Sequence, residues 1–337
     1  MSQENKALEI PGFSLPESPL LPASTRQALA AYRRLMQASV NQAASPPAAD
    51  LDSRRRHERE TYYQSVPYQR LRALYDVNVT LESIAGVTVE TIVPNAGIAE
   101  HNQSRVLINL HGGNFEHGSQ TTSQMESIPV AALGRIKVIS VDYRMAPEVQ
   151  FPAATDDVEA VYRALLEQYS PATIGIFGSS AGAQLAGQLM VRLQETGQPL
   201  PAAIGLIAAG TTKETGDSIP LVAAILQAAI GYSGLQESLK NAHYLKDADW
   251  DSPQVAPAQS DAAMAAFPPT LLASSTRDFL MSSVVATHSQ LVRLGVPADL
   301  HLWEGLDHVF HYNPELAETT ELHQVTVRFF ERYLGKG

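Results

Sequence analysis

Ile174-Gly175-Ile176-Phe177-Gly178-Ser179-Ser180-Ala181-Gly182 is the stretch whose reading decides the fold. An apolar run, Ile174 to Phe177, stops abruptly at Gly178, and an alanine- and leucine-rich segment follows Gly182. Physically this is a strand, a very tight turn and a helix. Gly178, Ala181 and Gly182 are small enough for the backbone to reverse without a clash, which leaves Ser180 at the tip, beside a helix N-terminus. That is the G-x-S-x-G nucleophile-elbow pattern. Chance alone supplies it about one time in ten in a chain this long, so the surrounding sequence has to decide.

The chain has 337 residues, which suits one large domain with insertions or a domain plus a small cap. Hydrophobic residues make up 45%, enough for a sizeable core. The net charge is −11, from 24 basic and 35 acidic residues, which argues against nucleic acid as a partner. There are no cysteines, so disulfides, thiolate catalysis and cysteine-ligated zinc are excluded. Met1 to Leu20 is polar and proline-containing, with no basic-then-apolar signal-peptide pattern. The longest apolar runs, Ile204 to Ala209 and Leu221 to Ile230, are too short to span a bilayer. The expectation is a cytoplasmic protein with no membrane partner.

Around the elbow, short apolar runs alternate with helical patterns. Strands are expected at Val106 to Leu110, Val138 to Val141, Ile174 to Phe177, Ala203 to Ile207, Thr270 to Ala273 and Ala298 to Trp303. Helices are expected near Asp156 to Glu167, Ala181 to Glu195, Ser283 to Leu294 and Thr319 to Leu334. This order means a parallel sheet with helices on both faces. Two alternating segments around Val77 to Leu81 and Val87 to Thr91 read as an antiparallel pair that opens it. Residues 1–73 hold two helices, Thr25 to Gln42 and Asp50 to Ala73, separated by Ser45-Pro46-Pro47. Arg54, Arg55, Arg56 and Arg59 read as a solvated helix face with local acidic partners. Residues 74–337 form the main domain. Within it, about 211–268 lacks a clear strand, is too long for an ordinary connection, and holds apolar pieces at Leu221 to Ile230 and Leu235 to Ala242. It reads as an inserted helical cap, completed by the N-terminal helices.

A serine nucleophile needs a base, an acid to orient the base, and donors for an oxyanion. In an open α/β sheet these belong just past the carboxyl ends of strands. His308 lies there, after the last strand and behind Gly305; His311 is close to it but further from the strand, and the other eight histidines fall in strands, helices, surface segments or an earlier loop. Asp278 lies past the preceding strand, 30 residues before His308; a helix N-cap is its plain structural role. Asp307 and Glu304 are its weaker rivals. The order Ser180, Asp278, His308 is the one an elbow fold requires. Val106 to Leu110 runs into His111-Gly112-Gly113-Asn114-Phe115, whose backbone N–H groups, with that of Ala181, are candidate oxyanion donors.

With these residues in place, the chain resembles the hormone-sensitive-lipase-like family of α/β-hydrolases, which includes bacterial carboxylesterases. The likeness rests on His111-Gly112-Gly113, on Asp142-Tyr143-Arg144-Met145-Ala146-Pro147-Glu148, and on Phe151-Pro152-Ala153-Ala154 with Asp156-Asp157. It extends through the elbow, Asp278 and His308-Val309-Phe310. The resemblance implies an eight-stranded, mostly parallel sheet, a helical cap, ester hydrolysis without a cofactor or metal, and a homodimer as an assembly to consider. Two departures from the family pattern matter. Asn114 stands where a third glycine is usual, though asparagine tolerates left-handed angles and keeps its N–H. Ser179 and Ala183 replace an aspartate and a glycine of the usual elbow.

The oxyanion-hole candidates are therefore Gly112, Gly113, Asn114 and Ala181, and the candidate substrate contacts are Phe115, His117 and Ser179, with Leu221 and Ile225 as further lining. His111 reads as a brace for the oxyanion loop, and Asp142, Arg144 and Glu148 as a buried polar network. The expected activity is cleavage of a small-molecule carboxylic ester through an acyl-enzyme. A lactone hydrolase would use the same triad on a cyclic ester. A non-catalytic small-molecule receptor on this fold is the rival from another class, and the presence of both Ser180 and His308 speaks against it.

Overall fold

The computed structural model describes residue 12 and residues 14–42, 51–235 and 243–335. The Ser45-Pro46-Pro47 break and the Leu235 to Ala242 piece beyond Leu235 lie outside them. The strands are β1 Val77–Ile84, β2 Val87–Pro94, β3 Val106–Leu110, β4 Lys137–Val141, β5 Ile174–Ser179, β6 Ala203–Ile207, β7 Thr270–Arg277 and β8 Ala298–Asp307. They form one eight-stranded sheet in the order β1-β2-β4-β3-β5-β6-β7-β8. β2 pairs antiparallel with both β1 and β4; β4, β3, β5, β6, β7 and β8 all run parallel. The expected mostly parallel sheet with an antiparallel opening is what forms.

The central strands are apolar and buried along nearly their whole length, as strands covered on both faces must be. Alternate side chains of β3 serve opposite faces: Val106, Ile108 and Leu110 join one core cluster and Leu107 the other. The described helices are α1 Ala23–Gln42, α2 Leu51–Gln64, α3 Val66–Leu74, α4 Thr122–Gly134, α5 Ala153–Leu165, α6 Ala181–Glu195, α7 Ser218–Ile230, α8 Asp261–Ala265, α9 Met281–Arg293 and α10 Ala317–Tyr333.

Three differences from the sequence reading have physical causes. The segment read as one helix over Asp50 to Ala73 is two, α2 and α3, because the Ser65 hydroxyl accepts from Tyr68 N–H and Pro67 sits in the first turn of α3. α4 had no counterpart in the sequence reading. It is buried on nearly every side and carries Pro129 in its middle, so it shows neither an amphipathic stripe nor an uninterrupted helical run. Arg55 of α2 is matched at long range rather than locally: it spans to Glu148 at 2.5 Å and to the carbonyl of Ala146 at 3.0 Å, while Arg54 and Arg56 are exposed. In the stretch 211–268 the described residues contain α7, α8 and short 3-10 turns and no strand, and α7 packs against α1.

Two histidines are buried with both ring nitrogens unpartnered among the described residues, His311 after β8 and His323 on α10. Burial lowers both, His323 from 6.5 to about 3. The unfolded chain therefore binds a proton at His323 before the folded chain does. Stability should fall below about pH 6.5, by about 1.4 kcal/mol per pH unit from this group, until about pH 3. His323→Leu should flatten that acid slope when urea midpoints are compared at pH 7 and pH 4.5. Equal slopes in the two proteins would contradict this.

Candidate active site

The register of the last two strands brings the candidate acid and the candidate base together. Arg277 of β7 pairs with Asp307 of β8, so the next residues, Asp278 and His308, leave adjacent strands at the same level. Asp278 is 1% exposed, and its Oδ1 lies 2.6 Å from His308 Nδ1. The same oxygen accepts from Leu280 N–H at 2.8 Å, and Oδ2 accepts from the Ser274 hydroxyl at 2.9 Å. Asp278 thus closes its own turn ahead of α9 and also orients His308. The rivals are occupied elsewhere: Asp307 holds Arg33 at 3.0 Å and Glu304 accepts from the Thr276 hydroxyl at 3.0 Å. Phe279 lies against the His308 ring, 4.1 Å between centroids.

Ser180 sits between β5 and α6 with φ 52° and ψ −118°, a strained conformation for a residue with a side chain. Its N–H donates to Ile207 O at 2.8 Å, and its carbonyl accepts from Ala183 and Gln184 N–H at 3.0 and 3.2 Å. The turn is held from below as well. A Cβ on Gly178 or Gly182 would collide with the Leu110 carbonyl at the end of β3. The result places Ser180 Oγ 3.0 Å from His308 Nε2. Ser180, His308 and Asp278 are one continuous hydrogen-bonded chain.

Opposite the serine, the β3–α4 loop turns through left-handed angles at Gly113 (φ 121°), Asn114 (φ 57°) and Phe115 (φ 58°). Gly113 O accepts from Glu116 and His117 N–H at 2.9 and 3.0 Å. The N–H groups of Gly113, Asn114 and Ala181 have no hydrogen-bond partner among the described residues. Gly112 differs from its expected role. Its N–H donates to the buried Glu126 Oε1 at 2.9 Å and is not free for an oxyanion. Gly112 serves through its missing side chain, since a Cβ there would press on the Tyr312 hydroxyl and the Ser179 carbonyl.

Other candidates also fall elsewhere. Ser179 is fully buried beneath the elbow, its Oγ 3.4 Å from the Tyr312 hydroxyl, and is not presented as a substrate contact. Phe115 is a core residue, 2% exposed and stacked on Tyr244 at 4.4 Å. His117 is mostly exposed and pairs with Glu58 at 3.2 Å, which raises its pKa. Leu221 and Ile225 lie on α7, Leu221 well exposed. His111 is the brace expected of it: it stacks on Tyr143 at 4.2 Å, and its Nδ1 meets Gly112 O at 2.8 Å. Asp142, Arg144 and Glu148 do not form one buried network. They are partly or well exposed and bind Gln120, Asp157 and Arg55 separately. An open cleft of about 460 Å³ beside them, lined by Arg55, Arg56, Arg59 and Arg144 among others, includes none of the triad.

Three polar residues near the site were not singled out from sequence. Glu126, buried on α4, and Tyr312, partly buried after His308, are bonded to each other at 2.6 Å. Glu214 accepts from Gln184 Nε2 at 2.7 Å. Burial raises its carboxyl pKa, while that bond and the charge of His308 act to lower it. A carboxylate amid the small and apolar residues of Ser127 to Ala132 was the available signal for Glu126. No cluster of three or more metal-ligating side chains occurs among the described residues, and no described helix is long and apolar enough to cross a membrane.

A family model described as the alpha/beta hydrolase fold matches residues 107–312. An acetyl-hydrolase from Streptomyces hygroscopicus is 29% identical over 235 residues, covering 69% of this chain and 77% of the relative. An esterase from Acinetobacter venetianus is 28% identical over 243 residues, 70% of this chain and 77% of the relative. Among solved structures, one esterase superposes with a TM-score of 0.78 at 28% identity, covering 98% of this chain and 99% of that one. An esterase from the bacterial hormone-sensitive lipase family superposes with a TM-score of 0.74 at 26% identity, covering 95% and 100%.

The left-handed angle at residue 114 makes its own prediction. Asn114→Gly should leave stability within about 1 kcal/mol, whereas Asn114→Val should lower it by about 1–3 kcal/mol. Urea denaturation checks this; equal stability of the two variants would contradict it.

Proposed function

The chain belongs to the α/β-hydrolase family, in its hormone-sensitive-lipase-like branch, and is a carboxylic-ester hydrolase; from that premise we propose that Ser180, His308 and Asp278 are its catalytic triad and that it works through an acyl-enzyme. The observation that carries the reading is the unbroken chain from Ser180 Oγ through His308 to Asp278, at 3.0 and 2.6 Å.

In this reading His308 Nε2 accepts the Ser180 proton as Oγ attacks the acyl carbon of the ester. Asp278 holds Nδ1–H, fixes the tautomer and stabilises the imidazolium. The N–H groups of Gly113, Asn114 and Ala181 receive the developing oxyanion, each worth about 3 kcal/mol in the transition state. Ala181 adds the positive end of the α6 dipole. The tetrahedral intermediate collapses, and His308 gives its proton to the departing alcohol. Water then enters, loses a proton to His308 and attacks the acyl carbon. A second collapse returns the proton to Ser180 and frees the acid.

The substrate in this proposal is a small-molecule ester, and the acetyl-hydrolase among the relatives makes acetyl esters the first to try. Residues 1–73 together with about 211–268 are proposed as the cap over the strand ends, on the motive that α1 packs against α7.

Ser180→Ala should lower p-nitrophenyl acetate hydrolysis by about 10⁴-fold or more while leaving the circular dichroism spectrum and melting midpoint near those of the parent. Turnover retained within tenfold would sink the assignment of Ser180.

A further inference from the structure

We propose that Glu126 is the positioning residue that locks the oxyanion loop to the nucleophile and base loops; the proposal rests on the serine-esterase reading above. Glu126 lies on α4, 2% exposed, and pairs with no cation among the described residues. A buried carboxylate without a counter-charge is costly unless several donors surround it. Here they do. Gly112 N–H donates to Oε1 at 2.9 Å, the Tyr312 hydroxyl donates to Oε1 at 2.6 Å, and Asn109 Nδ2 donates to Oε2 at 2.8 Å. The Tyr312 hydroxyl in turn lies 3.4 Å from the Ser179 hydroxyl.

These donors and Ser179 belong to the three loops that make the site. Asn109 and Gly112 flank the end of β3, where the oxyanion loop begins. Ser179 is the residue before the nucleophile. Tyr312 lies four residues after the base, in the turn Phe310–Tyr312. Glu126 therefore ties the β3 end to the base loop directly, and to the nucleophile loop through Tyr312. α4 itself is set in place by a second buried carboxylate, Glu90 on β2, which accepts from the Ser123 hydroxyl and Gln124 Nε2 at 2.7 and 2.5 Å.

The bond to Gly112 bears on catalysis through the peptides that follow it. Gly112 is held at both ends, its N–H by Glu126 and its carbonyl by His111 Nδ1 at 2.8 Å. That fixes the plane of the next peptide, whose N–H is Gly113's. The peptide after it, which carries the Asn114 N–H, is fixed through Gly113 O by Glu116 and His117 N–H. The Gly113 N–H is thus preset with the help of Glu126, and the Asn114 N–H by the bonds to Gly113 O beside it. Glu126 touches neither substrate nor the reacting atoms. Losing it should weaken transition-state binding and leave ground-state binding almost alone.

The test compares Glu126→Ala, Glu126→Gln and Tyr312→Phe with the parent on p-nitrophenyl acetate, alongside labelling by a fluorophosphonate probe. Glu126→Ala should lower kcat about 10²-fold with KM within about threefold. Glu126→Gln keeps the size and one acceptor oxygen, and Asn109 can rotate its amide to meet the new N–H group; it should recover at least tenfold of that loss. Tyr312→Phe should lower kcat about tenfold, for one charge-assisted bond. Glu126→Ala within threefold of the parent in kcat, or a loss carried entirely by KM, would overturn the proposal. If the alanine variant fails to fold, Tyr312→Phe decides: kcat within twofold of the parent would overturn it. Labelling of the parent at Ser180 separates the two readings. Failure of that labelling overturns the esterase triad, whereas normal labelling with unaffected variants overturns only the role of Glu126.

Discussion

The structure depends on one constraint, the strand-to-helix turn that carries Ser180 at φ 52°. A side chain is held there against its backbone preference because both flanks of the turn are pinned. Below, Gly178 and Gly182 let the turn lie directly on the end of β3, where any Cβ would strike the Leu110 carbonyl. Beside it, Ser180 N–H is bonded to Ile207 O at the end of β6. The strain puts Oγ above the strand ends and leaves the first N–H of α6 open, two properties that a relaxed turn would not combine.

Around this turn the sheet does most of the positioning. Parallel strands end at one edge, and the pairing of Arg277 with Asp307 brings Asp278 and His308 out side by side. The N-terminal segment fastens those same strand ends. Arg33 holds Asp307, Arg277 donates to Pro16 O at 2.9 Å, and Leu21 packs against Gly305. The neighbours of both the proposed acid and the proposed base are therefore tied to residues far away in sequence.

Much of this was legible in the sequence. Central strands buried on both faces announce themselves as unbroken apolar runs, and turns between strand and helix announce themselves through glycine. Hence β3 to β8, the elbow, Asp278 and His308 follow from pattern and order. What was not legible depended on burial or on long-range pairing. α4 is surrounded by protein, so its sequence lacks the two-sided pattern that marks a surface helix, and Pro129 reads as a breaker. Glu126 went with it. Gly112 was read as an oxyanion donor because a paired glycine shows freedom of the backbone but not where its N–H points. Phe115 and Ser179 adjoin reactive positions in sequence, yet the left-handed turn sends one into the core and the elbow sends the other beneath the serine. The set Asp142, Arg144 and Glu148 lies close in the chain, but each residue is matched by a different distant partner, Gln120, Asp157 or Arg55.

The central claim is that Ser180 is the nucleophile and that the N–H groups of Gly113, Asn114 and Ala181 receive the oxyanion. A crystal structure of the protein after reaction with a p-nitrophenyl phosphonate tests it most directly. The account predicts phosphorus bonded to Ser180 Oγ, with one phosphonyl oxygen about 3 Å from those three N–H groups and Gly112 N–H still on Glu126. Phosphorus on another residue, or an adduct on Ser180 whose oxygen meets none of the three, would contradict it.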